Sequence, residues 1–139
     1  SYTVPFGEAN IVREGKDATI VGYGLMVHRA SEAAETLAKE GIQCEIVDLR
    51  TLSPIDTDSV VESVENTGRL VCVDEANPRC SIAADIAATV SQQAFGSLKA
   101  APQLVTAPHT PVPFSPALED LYIPSAESIA DAVRKTMAP

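Results

Sequence analysis

The run LVCVDEANPRCS, Leu70 to Ser81, places two carboxylates, an arginine and a thiol at the end of an apolar stretch. In open α/β folds ligands bind outside the carboxyl ends of the strands, so this is where chemistry is first sought. Asp74 or Glu75 would serve as a general acid or base only with a neighbour that tunes its pKa and a substrate within reach. The sequence supplies neither. Two adjacent carboxylates are too few for a metal site, so the plainer role is hydrogen bonding to the following loop or to an adjacent subunit. Arg79 is the better interface candidate, because a guanidinium bridges carboxylates bidentately. Cys80 stands between Arg79 and a helix start, two features that lower the pKa of an exposed thiol. Its simpler reading is a small residue packed at that start.

Two histidines could work at the same edge. His28 falls near the start of a helix that follows a strand, and His109 lies in the rigid segment TAPHTPVPF. Neither has a serine, cysteine or acid beside it that specifies a triad. Gly22 and Gly24 in GYG sit between strand and helix like a phosphate-binding turn, but Val27 takes the place of the third glycine of GxGxxG. Close packing of strand exit and helix start is the expected role, with a bound anion at the helix N-terminus as the alternative. Asp48, Arg50 and Asp56 flank LRTLSPID, where the arginine can bridge the acids within or between chains.

These residues need a scaffold, and the composition allows one. A chain of 139 residues fits a single domain. It is 45% hydrophobic with 4% aromatics, an aliphatic content that suits helices packed on a sheet and excludes a stacking platform for single-stranded nucleic acid. Nineteen acids against ten Lys and Arg give a formal net charge of -9. With no basic stripe, nucleic acid is not an expected partner. The acidic balance serves solubility or attracts a basic protein partner. Cys44, Cys72 and Cys80 form no close-spaced metal pair, and an odd number is no disulfide framework. No membrane-spanning run is present, and the opening residues lack a signal peptide's basic segment and apolar core, so the expected location is cytoplasmic.

Strands and helices alternate. A short strand within Phe6 to Gly15 precedes buried strands at Ala18–Tyr23, Gln43–Leu49, Arg69–Val73 and Gln103–Thr106. Helices are expected over Val27–Glu40, ended by Gly41; over Asp56–Asn66, capped by Ser53 or Asp56; over Ser81–Phe95, capped by Ser81; and from Ser125 to about Lys135. Ile82, Ala83, Ile86, Ala87, Val90 and Phe95 are expected on one buried face. Pro108, Pro111, Pro113 and Pro116 exclude a regular helix or central strand between them. The pattern predicts a three-layer α/β/α domain with a mostly parallel sheet and one antiparallel edge strand.

Glu14 to Ala76 and Thr106 to Thr136 together resemble the C-terminal domain of the beta subunit of thiamine-diphosphate-dependent 2-oxo acid dehydrogenases, the transketolase C-terminal fold. The resemblance makes residues 1–139 one such domain. Within that family DEANPRCSIAADIAATVSQQAFGSLKAAP is most similar to the acetoin-cleaving branch; pyruvate and branched-chain enzymes more usually carry a glycine-rich turn in place of Pro78 to Ser81. The resemblance implies a multienzyme complex whose first component (E1) cleaves acetoin with thiamine diphosphate and magnesium. The acetyl unit then passes to a lipoyl group on the second component (E2). It also implies that the cofactor contacts lie in the alpha subunit and in an N-terminal beta domain. The domain here would then supply assembly: contacts to a second beta subunit and to the E1 alpha subunit, and a docking surface for the lipoyl-bearing E2 acyltransferase. On that view Asp74, Glu75, Arg79 and His109 are interface residues, with no catalytic, cofactor-binding or metal residue in the chain. Two rival readings are a stand-alone metabolite-binding regulatory domain and a small hydrolytic or acyl-transfer enzyme using Cys80 or His109.

Overall fold

The computed structural model describes residues 1–139. Its strands are β1 (Asn10–Arg13), β2 (Ala18–Gly22), β3 (Cys44–Asp48), β4 (Leu70–Val73) and β5 (Gln103–Val105). Its helices are α1 (Leu25–Ala38), α2 (Thr57–Thr67), α3 (Ile82–Gln93), α4 (Pro116–Tyr122) and α5 (Ala126–Met137). The sheet order is β1-β3-β2-β4-β5. β1 pairs antiparallel to β3, and every other pairing is parallel.

Both faces of the sheet are covered, which is why β4 reads as an unbroken apolar run and β2 as one interrupted only by Thr19. The strand period of two still sorts their side chains. Ala18, Ile20, Cys44, Ile46, Val71 and Val73 join Met26, Ala30, Leu37, Ile129 and Val133 in a core under α1 and α5. Val21, Val47, Leu70 and Cys72 join Val60, Val64, Ala83, Ile86 and Val90 under α2 and α3. The result is the three-layer α/β/α arrangement expected from the alternation.

Helix ends follow local chemistry. Gly41, with φ 83, ends α1 as the left-handed residue of a Schellman motif: Ile42 N–H bonds to Leu37 C=O at 3.0 Å and Gly41 N–H to Ala38 C=O at 3.1 Å. Of the two candidate caps for α2, Asp56 does the work, accepting from Ser59 N–H at 3.1 Å. It also accepts from Ala9 N–H at 2.8 Å and Ser59 Oγ at 2.7 Å, which ties the N-terminal segment to the helix.

Two expectations need correction, and one helix was not expected. Phe95 does not face the core but is 75% exposed; α3 stops at Gln93, and a 3₁₀ turn over Phe95–Ser97 redirects the chain. The strand expected buried over Gln103–Thr106 is an edge strand over Gln103–Val105, with Leu104 38% exposed. The proline-rich stretch is followed at once by a helix, α4, whose first residue is Pro116 itself. Proline is tolerated there because the first N–H of a helix has no intrahelical partner.

Burial opposes the charge on Asp56, but the bonds from Ala9 and Ser59 outweigh it and hold the carboxyl below its ordinary value. Asp56→Ala is therefore expected to cost about 1–2 kcal/mol in urea unfolding. Because the folded pKa is depressed, the carboxylate's contribution is complete above the ordinary aspartate value of about 3.9 and is lost as pH falls through the folded value. Acid titration should show that loss in the parent chain and not in the variant.

Candidate functional site

The chain leaves β2 for β3 through α1, then returns past β2 to β4 through α2. Strand order therefore reverses between β2 and β4, and the crevice between their exits is the natural ligand position of an open α/β sheet. Here that crevice is spanned by the protein. Tyr23, the residue after β2, donates its hydroxyl to Asp74 Oδ1 at 2.9 Å. The same oxygen accepts from Ala76 N–H at 3.0 Å, and Oδ2 accepts from Ala83 N–H at 3.2 Å.

Asp74 is 1% exposed. Its carboxylate engages both neighbouring strand exits and the first turn of α3. Ser81 completes that helix start as the expected cap, accepting from Ala84 N–H at 3.2 Å. Partial burial, the hydrogen bond to Asp74 and the charges of Asp74 and Glu75 push the Tyr23 hydroxyl up to about 12. Tyr23 thus stays protonated and donating at neutral pH. Sequence reasoning missed this pair; its signal is a hydroxyl-bearing aromatic directly after β2 and an acid directly after β4, the parallel neighbour of β2.

The rest of the β4 exit points outward. Glu75, Arg79 and Cys80 are exposed. Asn77 Oδ1 accepts from Arg79 N–H at 3.0 Å, forming an Asx turn. Cys80 takes a left-handed backbone, φ 53. His109 is exposed on the neighbouring loop, which is held beside the β4 exit by Ala107 N–H to Ala76 C=O at 3.1 Å. Asp74, Glu75, Arg79 and His109 therefore share two adjoining loops, but no hydrogen bond or ion pair joins their side chains to one another. His28 is exposed on the first turn of α1. Burial pushes the Cys44 thiol up to about 11 and the Cys72 thiol higher, consistent with both as small core hydrophobes. Arg50 makes no ion pair; its N–H donates to Asp48 Oδ1 at 3.1 Å. No three His, Cys, Asp or Glu gather as metal ligands, and no helix is long and apolar enough to cross a membrane.

A second feature had no sequence expectation attached. Val112, Phe114, Leu118 and Leu121 are all exposed, Phe114 completely and Leu121 to 83%. Leu118 and Leu121, i and i+3 on α4, share one side of that helix, and Phe114 lies just before its N-cap Ser115. α4 buries none of its residues.

Comparison with known proteins places these observations. The family model described as the C-terminal domain of transketolase matches residues 7–129. The chain is 75% identical over 137 residues to the beta subunit of acetoin:2,6-dichlorophenolindophenol oxidoreductase of Cupriavidus necator, covering 99% of this chain and 40% of that protein. Identity is 53% over 128 residues to the Bacillus subtilis subunit of the same description, covering 92% and 37%. It is 43% over 136 residues to the pyruvate dehydrogenase E1 component subunit beta of B. subtilis, covering 98% and 42%. A solved structure described as a split gene transketolase, inactive beta4 tetramer, superposes with a TM-score of 0.83 at 31% identity, covering 98% of this chain and 43% of that one. The chain thus spans about two fifths of the length of the curated relatives.

Removing the Asp74 carboxylate by Asp74→Ala leaves Ala83 N–H, Ala76 N–H and Tyr23 Oη without an acceptor, an expected loss of about 2–4 kcal/mol in urea unfolding. The raised hydroxyl pKa adds a signature at alkaline pH. Its contribution is present below the ordinary value of 10.0 and is lost as pH rises through about 12. Stability measured across that window should fall in the parent chain and less in Tyr23→Phe.

Proposed function

The chain belongs to the transketolase C-terminal domain family, and from that premise we propose that it is the assembly domain of the beta subunit of a thiamine-diphosphate-dependent acetoin dehydrogenase. Residues 1–139 form one such domain on this reading. The whole enzyme cleaves acetoin and passes the acetyl unit to a lipoyl group, in the cytoplasm. Identity falling from 75% and 53% with acetoin oxidoreductase subunits to 43% with a pyruvate dehydrogenase subunit favours the acetoin substrate. This is the order that the Asn77 to Ser81 turn implies.

The observation that carries the assembly role is surface without a partner. A compact 14.6 kDa monomer exposes roughly 6,900 Å², whereas this chain exposes 7739 Å². Phe114, Leu118 and Leu121, together with Tyr2 and Phe6, which are 88% and 90% exposed, supply apolar side chains of the kind that anchor interfaces. The partners on this reading are the E1 alpha subunit, a second beta subunit and the lipoyl-bearing E2 acyltransferase. Glu75, Arg79 and His109 contribute polar contacts at the carboxyl edge, on loops that Asp74 holds in place.

The residues present do not fit a magnesium diphosphate site. No carboxylate cluster offers metal ligands, and Tyr23 and Asp74 fill the crevice where a ligand would lie. Thiamine diphosphate and magnesium belong, on this reading, to the parts of the enzyme outside these residues. What this chain contributes to turnover is position: a rigid two-sided core carrying surfaces for its neighbours.

Two measurements test the proposal. The 139-residue chain with acetoin, thiamine diphosphate and magnesium should show no acetaldehyde release, and turnover would refute the assembly role. In the full beta subunit, Leu121→Glu should lower recovery of the assembled complex at least tenfold, while the melting of the domain changes by no more than about 0.5 kcal/mol because the side chain is solvent-exposed. Unchanged recovery would remove α4 from the interface.

A further inference from the structure

Arg29 stands half-buried on α1, and its Nε is the one buried side-chain nitrogen or oxygen of the chain with no hydrogen-bond partner. Buried polar groups are almost always paired, so a single exception calls for a cause. No carboxylate of the chain answers it, because every ion pair belongs to Arg134. The penalty is larger than for a neutral donor, since the unpaired group carries charge.

Arg29 lines a cavity of about 320 Å³ together with Asp120, Ile123, Pro124 and Ser125. That volume lies near the lower bound of small-molecule sites, about 300 Å³. Arg29 and Asp120 are its charged residues, one of each sign, and neither is in an ion pair. Lys135 borders Asp120 only from the neighbouring groove and forms no ion pair with it. Pro124 is buried and Ile123 packs against the core under α1 and α5, so the apolar part of the lining is fixed. Ser125 is committed to α5: its Oγ accepts from Ser128 N–H at 3.1 Å, and its own N–H donates to Ser128 Oγ at 3.0 Å. Polar recognition in the cavity therefore rests on Arg29 and Asp120, not on the helix end.

A cavity with one positive group, one negative group and a short apolar wall suits a small ligand of matching make-up. We infer that it takes a free aliphatic α-amino acid. The carboxylate bonds to the Arg29 guanidinium, the ammonium bonds to Asp120, and the aliphatic side chain lies on Ile123 and Pro124. Nε is shut off from solvent in the present rotamer. A turn of the long side chain, a fast and local motion, presents Nε and one Nη as a bidentate fork. Binding thus supplies the acceptor that Nε lacks. A simple anion would meet the Asp120 carboxylate and a simple amine the guanidinium, so a like charge disfavours each. Phe114, Leu118 and Leu121 do not line the cavity, and the inference stands without the acetoin dehydrogenase reading.

The test is titration of the ¹⁵N-labelled 139-residue chain with L-leucine and with two analogues that each lack one charge, isocaproate and isopentylamine. L-leucine should saturably shift the Arg29, Ile123 and Ser125 amide signals and the Arg29 Nε–H signal at up to about 10 mM, which fills a site of millimolar affinity. Each analogue should bind roughly tenfold more weakly, the worth of one hydrogen-bonded charge. Arg29→Met removes the orphaned donor and keeps an apolar stem, and Asp120→Asn changes an exposed side chain. Both should weaken L-leucine by a similar factor, and the second carries the test if the first does not fold. Absence of a saturable shift, equal binding of all three compounds, undiminished binding by Asp120→Asn, or a direct Arg29–Asp120 hydrogen bond detected in the ligand-free chain would each overturn the inference.

Discussion

The carboxylate of Asp74 is the constraint on which the carboxyl edge depends. Burying a carboxylate without hydrogen bonds costs several kcal/mol, and Asp74 is 1% exposed. Three donors offset it: Tyr23 from the β2 exit, Ala76 from its own loop and Ala83 from α3. Hydrogen bonds to a charged group contribute about 1.5–3 kcal/mol each, so each donor lost leaves the burial less offset. Geometry follows from that requirement. The β2 and β4 exits must stay together, α3 must start where its second N–H reaches Oδ2, and the loop from Glu75 to Cys80 must arch outward.

This arrangement decides what kind of work the chain does. In an open α/β domain the reversal of strand order leaves a crevice, and here a tyrosine–aspartate pair occupies it. The acid that looks poised for proton transfer is spent on structure, and the tyrosine beside it holds its proton to about 12. Chemistry is displaced from the crevice, and what remains outside it is surface: Glu75, Arg79 and His109 on the loops, the apolar residues of the 112–121 stretch, and the cavity beside Arg29. Family membership agrees with the proposal that the domain holds others in place.

The fold was legible because its signals were local or periodic. Leu70–Val73 is apolar throughout and Ala18–Gly22 is so except for Thr19, whose buried hydroxyl is satisfied by Ser63 and Thr67. Asp56, Ser81 and Ser125 cap α2, α3 and α5 with side-chain oxygens, and Gly41 marks the end of α1 with a conformation glycine adopts freely. β1 was expected at an antiparallel edge and lies there. What stayed hidden depended on distant contacts. Nothing between Tyr23 and Asp74 in sequence announces that they meet across the reversal point, 51 residues apart. β5 was expected to be buried, and only its place at the end of the sheet order exposes Leu104. α4 was masked by prolines that forbid a helix before Pro116 yet favour one beginning there, and Phe95 kept the helical spacing of α3 beyond the point where the helix stops.

Amide hydrogen exchange at Ala76 and Ala83 tests the central claim most directly. If the Asp74 carboxylate is held by these two N–H groups, both exchange slowly in the parent chain and become fast in Asp74→Ala. Fast exchange at both sites in the parent chain would contradict this account, because it would leave the carboxylate free to act at the sheet edge.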